Sequence, residues 1–440
     1  MSKEKMKTVI RKITSWLMIV TVMCMLCACA HVDVNNQSTT AEHSNTEHSN
    51  IEKQTSNKNL VNDNTIEEPT SEEPTSEKSI SEDPAFEEEI VEDQAETVSI
   101  IMVGDLLLHT PVEEACRFDD GTYDYSSLFE HTSSMIEEAD LAIINEEVII
   151  GGEELGVSGY PAFNAPFEVA DALSDVGFDV VLHATNHALD KGGKGIMSCL
   201  TYWDMYHPDV AVLGIHDSDD DRQVINTFEI HGITIAILNY TYGTNGINLP
   251  ENMPFAVDLM SEERVTRDIE RAKEIADFVI VCPHWGTEYR LSPDEYQKKW
   301  TKIFLDNGVD LVIGTHPHVI EPVEMIVDEE TGDEMLVYYS LGNYVNWTSG
   351  TGEGIANRMV GGMARVTISK DDDGEVDIAD YGLNALVTDL HEGMGGVSVY
   401  PLSEYTEDMA DTNAIRNQDP QFTYEYCIEL CNTVWPNMWE

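Results

Sequence analysis

The chain predicts an α/β fold, with a largely parallel or mixed sheet, helices outside it, and a second sheet packed on the first. Short apolar runs rich in β-branched residues recur from Thr97 onward, and amphipathic helical patterns lie between several of them. Five polar clusters each stand where an apolar run stops: Gly104-Asp105, Asn145-Glu146-Glu147, Asn186-His187, His284-Trp285-Gly286 and Gly314-Thr315-His316-Pro317-His318. Open α/β sheets put their chemistry at such strand ends.

The element order follows from composition and period. Thr97-Val-Ser-Ile-Ile-Met-Val-Gly-Asp105 is a strand ending in a turn, and similar runs recur at Leu141–Ile144, Val180–His183, Ile233–Asn239, Phe278–Cys282, Leu311–Ile313 and Leu336–Tyr339. Phe167–Val176, Gly195–Tyr206, Glu262–Ala276 and Pro293–Asn307 carry apolar residues at three- and four-residue spacing, which predicts helices. Strands around Leu336 and Ala364 read as a meander and supply the second sheet. The tail after Val397 has no clear pattern.

Ahead of this domain lie two segments of different texture. Lys3, Lys5, Lys7, Arg11 and Lys12 precede an apolar stretch from Ile13 to Met25 and then Leu26-Cys27-Ala28-Cys29. The stretch is shorter than the ~20 residues of a spanning helix, and the pattern is that of a signal segment resembling a bacterial lipobox, with Cys29 lipidated. Residues 30–96 are dominated by Ser, Thr, Asn, Glu and Pro, with Glu-Glu-Pro-Thr-Ser-Glu at Glu67 and again at Glu72. Such a composition builds no core and predicts an extended acidic linker. The expected organisation is therefore a lipoprotein signal over 1–29, a linker over 30–96, a folded domain over 97–396 and a C-terminal extension over 397–440. It puts the protein on the outer face of a bacterial membrane.

Charge narrows the partners. Against 82 acidic residues stand 24 basic ones, a formal charge of -58, which argues against a nucleic-acid partner. After Cys29 the remaining cysteines are Cys116, Cys199, Cys282, Cys427 and Cys431, so at least one is free. Cys427 and Cys431 form the close pair, yet a disulfide at i, i+4 within a helix is geometrically awkward.

The clusters together spell a metal site. Asp105 offers a hard anionic ligand at the first strand end. Strand alternation sends Asn145 and Glu147 to one side and Glu146 to the other, which favours Glu147 as a ligand with Glu146 in reserve. Asn186 can ligate through its amide oxygen while His187 acts as a general acid. Asp190 caps the following turn or holds the His187 tautomer, and capping is the favoured role. His183 reads as a packed core histidine and Trp285 as a packing residue. His284 ends a strand, and His316 and His318, separated by a proline, can address one ion or two neighbours. Asp105, Glu147, Asn186, His284, His316 and His318 form a mixed O/N set for two divalent ions bridged by one carboxylate. Two such ions, about 3.5–4 Å apart, activate a water and clamp attacking and leaving oxygens. Imidazole with carboxylate suits Mn, Fe, Zn, Co or Ni.

Val103-Gly104-Asp105, Asp140 to Glu147, Asn186 to Gly192, His284-Trp-Gly-Thr-Glu-Tyr289, Gly314 to Val319 and Tyr339-Ser-Leu-Gly-Asn-Tyr344, in this order, resemble the bacterial capsule synthesis protein CapA family. These are the poly-γ-glutamate biosynthesis proteins within the calcineurin-like metallophosphoesterase superfamily. The resemblance runs from Val98 to Val345. It implies a four-layer α/β/β/α sandwich, metallophosphoesterase-like, with a metal centre at one sheet edge, and it supports Glu147, because the family pattern reads Asn, apolar, Glu. It also implies work on an anionic cell-surface polymer, or with its synthesis machinery, in capsule formation, export or attachment. Other readings of the same residues are a metal-dependent phosphoesterase or amidase unrelated to capsule, and a non-catalytic assembly protein. Departures from the pattern are Glu146 for an apolar residue, Thr185 for Asn and Glu321 for Gln. Leu107 stands where phosphoesterases carry a histidine two residues after the aspartate. That leaves one metal position weaker, or completed by Asn145 or a water, with His109 too far along to substitute.

Overall fold

The structure, a computed structural model, describes residues 96–329 and 331–440. The expected signal segment with Cys29, and the linker as far as residue 95, lie outside the described residues. Among the described residues no helix is long and apolar enough to cross a membrane.

Two mixed sheets organise these residues. The first runs β14 (Val397–Pro401), β13 (Val376–Leu390), β12 (Val360–Lys370), β1 (Glu96–Leu107), β2 (Leu141–Glu146), β3 (Val180–Leu182) and β4 (Ala211–Leu213), with β11 (Asn343–Asn346) joined to the end of β1. Strands β1 to β4 are mutually parallel, while β12, β13 and β14 form an antiparallel meander on the other flank. The second sheet runs β5 (Asn226–Ile230), β6 (Ile233–Thr241), β7 (Phe278–His284), β8 (Leu311–Ile313), β10 (Glu334–Tyr338) and β9 (Val323–Val327). Its middle strands are parallel and its two edges antiparallel.

Period-two alternation explains the layering. Ile235, Ile237, Ile280, Cys282, Leu311 and Ile313 face a core shared with Ile100, Met102 and Ile143 of the first sheet. Their neighbours Ala236, Leu238, Val279, Val281 and Val312 face Val265 and Ile269 of helix Glu262–Lys273 and Trp300 and Phe304 of helix Glu295–Asp306. A strand buried on both faces needs apolar residues at every position. Helices Glu168–Val176 and Gly192–Tyr206 bury Leu173, Ile196 and Trp203 in the core of the first sheet, giving the layer order helix, sheet, sheet, helix.

The meander expected around Leu336 and Ala364 does not form as one unit. Strand β10 lies inside the second sheet beside β8, whereas β12 returns to the first sheet and pairs antiparallel with β1, Val103 opposite Met363. Apolar period identifies a strand but not its sheet. In β10 the run Met335–Tyr338 is buried on both faces, as an inner strand of the sandwich must be, and β12 is increasingly exposed toward Lys370.

Residues 397–440 supply β14 and helix Tyr424–Val434, and Trp435 is buried in the first core, its indole Nε1 donating to the Glu321 carbonyl at 2.8 Å. Cys116, Cys199, Cys282, Cys427 and Cys431 are all buried and free.

Away from the strand ends, His216 ties the loop after β4 to the rest. Its Nε2 lies 2.7 Å from Asp258 and its Nδ1 3.0 Å from Asp221, while Arg222 and Arg264 also meet Asp258. Burial opposes the charge on His216, but the two carboxylates outweigh it and raise its pKa to about 9. A histidine raised above its unfolded value of about 6.5 contributes stability that is whole below that pH and is lost as pH climbs through the folded value. The stability gap between wild type and His216→Gln, measured by urea unfolding, is therefore expected to be widest below pH 6.5 and to narrow through pH 9. A gap that does not change with pH would contradict this pairing.

Candidate metal centre

The site is assembled by strand ends from both sheets. Asp105 sits at an irregularity in β1, with the register shifting on either side of it, and it stands opposite Asn145 of β2 and Asn343 of β11. Its backbone N–H donates to the Gly342 carbonyl at 3.0 Å. The preceding residue must be glycine, because a Cβ on Gly104 would lie 1.9 Å from that same carbonyl oxygen. Glu147 follows β2 directly, and the Thr185 hydroxyl donates to its backbone carbonyl at 2.8 Å, tying it to the Asn186-His187 turn.

From the second sheet, His284 closes β7 and the loop after β8 carries His316 and His318. Both histidines adopt left-handed backbone, with φ of 97° and 58°. Non-glycine residues pay roughly 1–3 kcal/mol for such a conformation, and it persists where the surroundings enforce it. Here the turn brings both imidazoles to the carboxylates, with ring centroids 5.7 Å apart and the His316 ring 4.8 Å from that of His284. Gly314 permits the loop to start, since a Cβ there would meet the Tyr339 carbonyl at 2.2 Å.

Distances among these groups are those of a ligand cage. Nδ1 of His318 is 3.0 Å from Asp105 Oδ2 and 3.6 Å from Glu147 Oε2, and Nε2 of His284 is 3.9 Å from Glu147 Oε1. Two groups have their ligand atoms within 4.8 Å of one another, Glu147 with His316 and His318, and Asp105 with Glu147 and His284, so Glu147 is common to both. Asn186 Oδ1 lies 2.8 Å from His284 Nε2, a separation that two ligands of one cation, each about 2.1 Å from it, also adopt. The other His284 nitrogen meets the Thr315 hydroxyl at 2.9 Å, an orienting contact of the kind that metal-bound imidazoles use.

The donor set fits divalent cations on a second count. Both carboxylate oxygens of Glu147, Oδ1 of Asn145 and Nδ1 of His316 are buried without a hydrogen-bond partner. Asn145 spends its Nδ2 on Asp105 Oδ1 at 2.8 Å, which leaves its carbonyl oxygen free. Each buried acceptor left unmet costs about 1–3 kcal/mol, and more for a charged group. Convergent unmet acceptors are what a cation satisfies.

Electrostatics point the same way. Burial, with Asp105, Glu288 and Asp190 adding to it, drives the Glu147 pKa well above the usual carboxylate range even though His318 opposes. Burial and neighbouring histidines hold His284 and His316 well below the usual imidazole range, so both present the neutral form that binds metal. His318 behaves differently: burial would lower it, but Glu147 and Asp105 raise it to about 9. A bound divalent ion supplies the positive charge that this proton otherwise supplies.

His187 stands at the edge of the cage, its Nε2 3.9 Å from Glu147 Oε1. Asp190 Oδ2 accepts from the Phe163 backbone N–H and lies 2.7 Å from His187 Nδ1. The favoured capping role for Asp190 is therefore corrected. The residue before helix Gly192–Tyr206 is Lys191, and no side chain caps it; the chain turns Asp190 back toward the imidazole. Glu146 points elsewhere, accepting from the Val148 N–H at 3.1 Å. His183 is buried 3.7 Å from Cys199 Sγ, and burial lowers its pKa to about 3. Trp285 is buried and donates to the Tyr339 carbonyl.

Several site residues were not singled out by the sequence. Asn343 Oδ1 lies 3.1 Å from His318 Nδ1, and Tyr242 packs 4.6 Å from the His316 ring. Asn245, with φ of 50°, accepts from Asn186 Nδ2 at 3.3 Å. Asn343 belongs to the Tyr339-Ser-Leu-Gly-Asn-Tyr344 run that carries part of the family resemblance; Tyr242 and Asn245 lie in a loop with no spacing signal. Leu107 is buried. His109 is half-buried, 5.2 Å from the Phe163 ring, and burial together with His318, His187 and Arg358 lowers its pKa to about 4. It stands near the centre, although it is not among the grouped ligands.

Comparison with known proteins agrees with the motifs. The family described as "Bacterial capsule synthesis protein PGA_cap" matches residues 99–348. The PGA biosynthesis protein CapA of Bacillus subtilis (strain 168) is 32% identical over 185 residues, 41% of this chain and 47% of that protein. The capsule biosynthesis protein CapA of Bacillus anthracis is 27% identical over 267 residues, 58% of this chain and 61% of that protein. The chain thus spans about half to three-fifths of the length of these relatives. Among solved structures, it is similar to a putative 5'-nucleotidase from Staphylococcus aureus (TM-score 0.41, 16% identity, 65% of this chain and 54% of that one). It is also similar to the NAD nucleotidase of Haemophilus influenzae (TM-score 0.41, 12% identity, 79% and 64%). With the family matched across more than half of its length, from β1 to just beyond β11, the chain belongs to the bacterial capsule synthesis protein PGA_cap family.

Proposed function

We propose that this protein works in the synthesis, export or attachment of an anionic cell-surface polymer, through metal-dependent hydrolysis or transfer at the Glu147 centre. It does so from the outer face of the membrane, anchored by lipid on Cys29 and held at a distance by the acidic linker. The observation that carries the chemical part is the buried Glu147 carboxylate, shared by two ligand groups and unpartnered at both oxygens. The family supports the polymer; the relatives' names describe capsule and PGA biosynthesis.

Asp105 and Asn145 with His284 and Asn186 would hold one divalent ion, and His316 and His318 another, with Glu147 available to both. When bound, such ions would supply Lewis-acid polarisation of the substrate and lower the pKa of a water toward neutrality. The chain's own residues supply the rest. Asp190 accepts the Nδ1 proton of His187 and orients the ring so that Nε2 faces the cage; the doubly protonated imidazolium hands its Nε2 proton to a leaving oxygen and is left as the neutral Nδ1–H ring. Phe163 packs edge-on against the His187 ring at 4.6 Å and limits its rotation.

The purified full chain is expected to hold close to two divalent ions by elemental analysis. His316→Ala and His318→Ala lose metal while the far-ultraviolet circular dichroism stays native, and added Mn²⁺ raises the melting temperature of wild type but not of Glu147→Gln. Metal retained at the wild-type level in all three variants would overturn the ligand assignment. For the acid role, His187→Ala is expected to keep its metal and lose about 10²–10⁴-fold in turnover of a chromogenic phosphodiester. Full turnover in that variant would remove His187 from the chemistry. Wild-type protein that holds metal and turns over nothing would favour an assembly role on the same fold.

A further inference from the structure

At the mouth of the centre lies a cation that the metal chemistry does not use. Arg358 belongs to the short turn Ala356–Met359 that leads into β12. Its carbonyl accepts from Asn343 Nδ2 at 3.0 Å, the same side chain whose Oδ1 lies beside His318. Its guanidinium carbon sits 3.6 Å from the centroid of the Tyr289 ring, and that ring is 6.0 Å from the ring of His318. Tyr289 is itself fastened to the metal-binding loop: its N–H donates to the Pro317 carbonyl at 2.7 Å. It takes a left-handed backbone, φ 65°, to do so.

This guanidinium is poorly satisfied by the protein. It is half-buried, and Nε is buried with no hydrogen-bond partner. Glu288 is close enough to act on its charge, but no carboxylate among the described residues pairs with it. In a chain with 82 acidic residues, leaving a partly desolvated arginine unpaired is costly. An arginine stacked on an aromatic face keeps its planar fork of N–H donors available, and that fork matches a carboxylate or a phosphate. Tyr289 thus acts as a platform and the fork is left for a ligand.

We infer that Arg358 binds an oxyanion of the substrate, a carboxylate or phosphate group lying next to the group that reacts at the metal centre. The inference rests on the hydrolytic reading of that centre and gives its substrate class: a molecule with a negative group close to the scissile bond. It also meets an electrostatic problem. A protein of charge -58 repels a polyanion at long range, so productive docking needs a fixed local cation besides the metal.

The test uses the full chain loaded with Mn²⁺, titrated calorimetrically with inorganic phosphate and separately with glutarate. Wild type is compared with Arg358→Met, which keeps the stem on Tyr289 without the charge, and Arg358→Lys, which keeps charge without the fork. Metal content is measured on each sample. The expected result is binding of one or both probes by wild type, at least tenfold weaker in Arg358→Met and intermediate in Arg358→Lys, with metal unchanged. The probe that binds more tightly identifies the oxyanion. If Arg358→Met binds both probes like wild type, or metal-loaded wild type binds neither, the inference is overturned while the metal reading stands. If wild type binds an anion through Arg358 yet holds no metal, the inference stands and the hydrolytic reading falls.

Discussion

A carboxylate buried without a proton donor is the constraint around which this molecule is arranged. Neither oxygen of Glu147 is solvated or hydrogen-bonded, and three imidazoles and a second carboxylate face it. Folding alone gains nothing from such a grouping. Its cost, several unmet polar atoms and two left-handed histidines, is met by the two cores and by long strand pairings such as β1 with β12 and β12 with β13. The rigid frame pays for a site that is unfavourable until cations enter it.

The frame also explains why ligands distant in sequence meet. Parallel strands deliver their ends to one rim: β1 to β4 form one flank of the first sheet, and β6, β7, β8 and β10 the middle of the second. Asp105 and Asn145 come from the first sheet and His284 from the second, and the bond from Asp105 N–H to Gly342 locks the loop after β10 against β1. That contact explains why Tyr339-Ser-Leu-Gly-Asn-Tyr344, which offers little metal chemistry by itself, is part of the site: it closes one wall and places Asn343 beside His318.

Much of this was legible in the sequence because the elements carry a strong period. The run Leu311–Ile313 is a strand with those ends, and the four main helices fall within three residues of their amphipathic patterns. Alternation after Leu141 set Glu147 apart from Glu146, and in the structure Glu146 accepts from the Val148 N–H while Glu147 faces His318. Strands β4, β5 and β9 were not legible; they are short or half-exposed, so their apolar period is weak. Sheet membership of β12 was not legible either, since it depends on which strand is left unpaired. Asp190 resembled a cap, and only the reversal of the chain that turns it to His187 distinguishes the two roles. Tyr289 and Arg358, 69 residues apart, carry no pattern linking them, and their stacking is a tertiary fact.

The unmet acceptors of Glu147 and the imidazoles facing it form a site shaped for divalent cations. The most direct test is anomalous diffraction from crystals of the protein grown with Mn²⁺, with data collected on both sides of the manganese edge. A divalent-cation site there gives edge-dependent density within about 2.3 Å of the Glu147 carboxylate, between it and His284, His316 and His318. A map with no such density, in which Glu147 is instead hydrogen-bonded to water or to side chains, would contradict it.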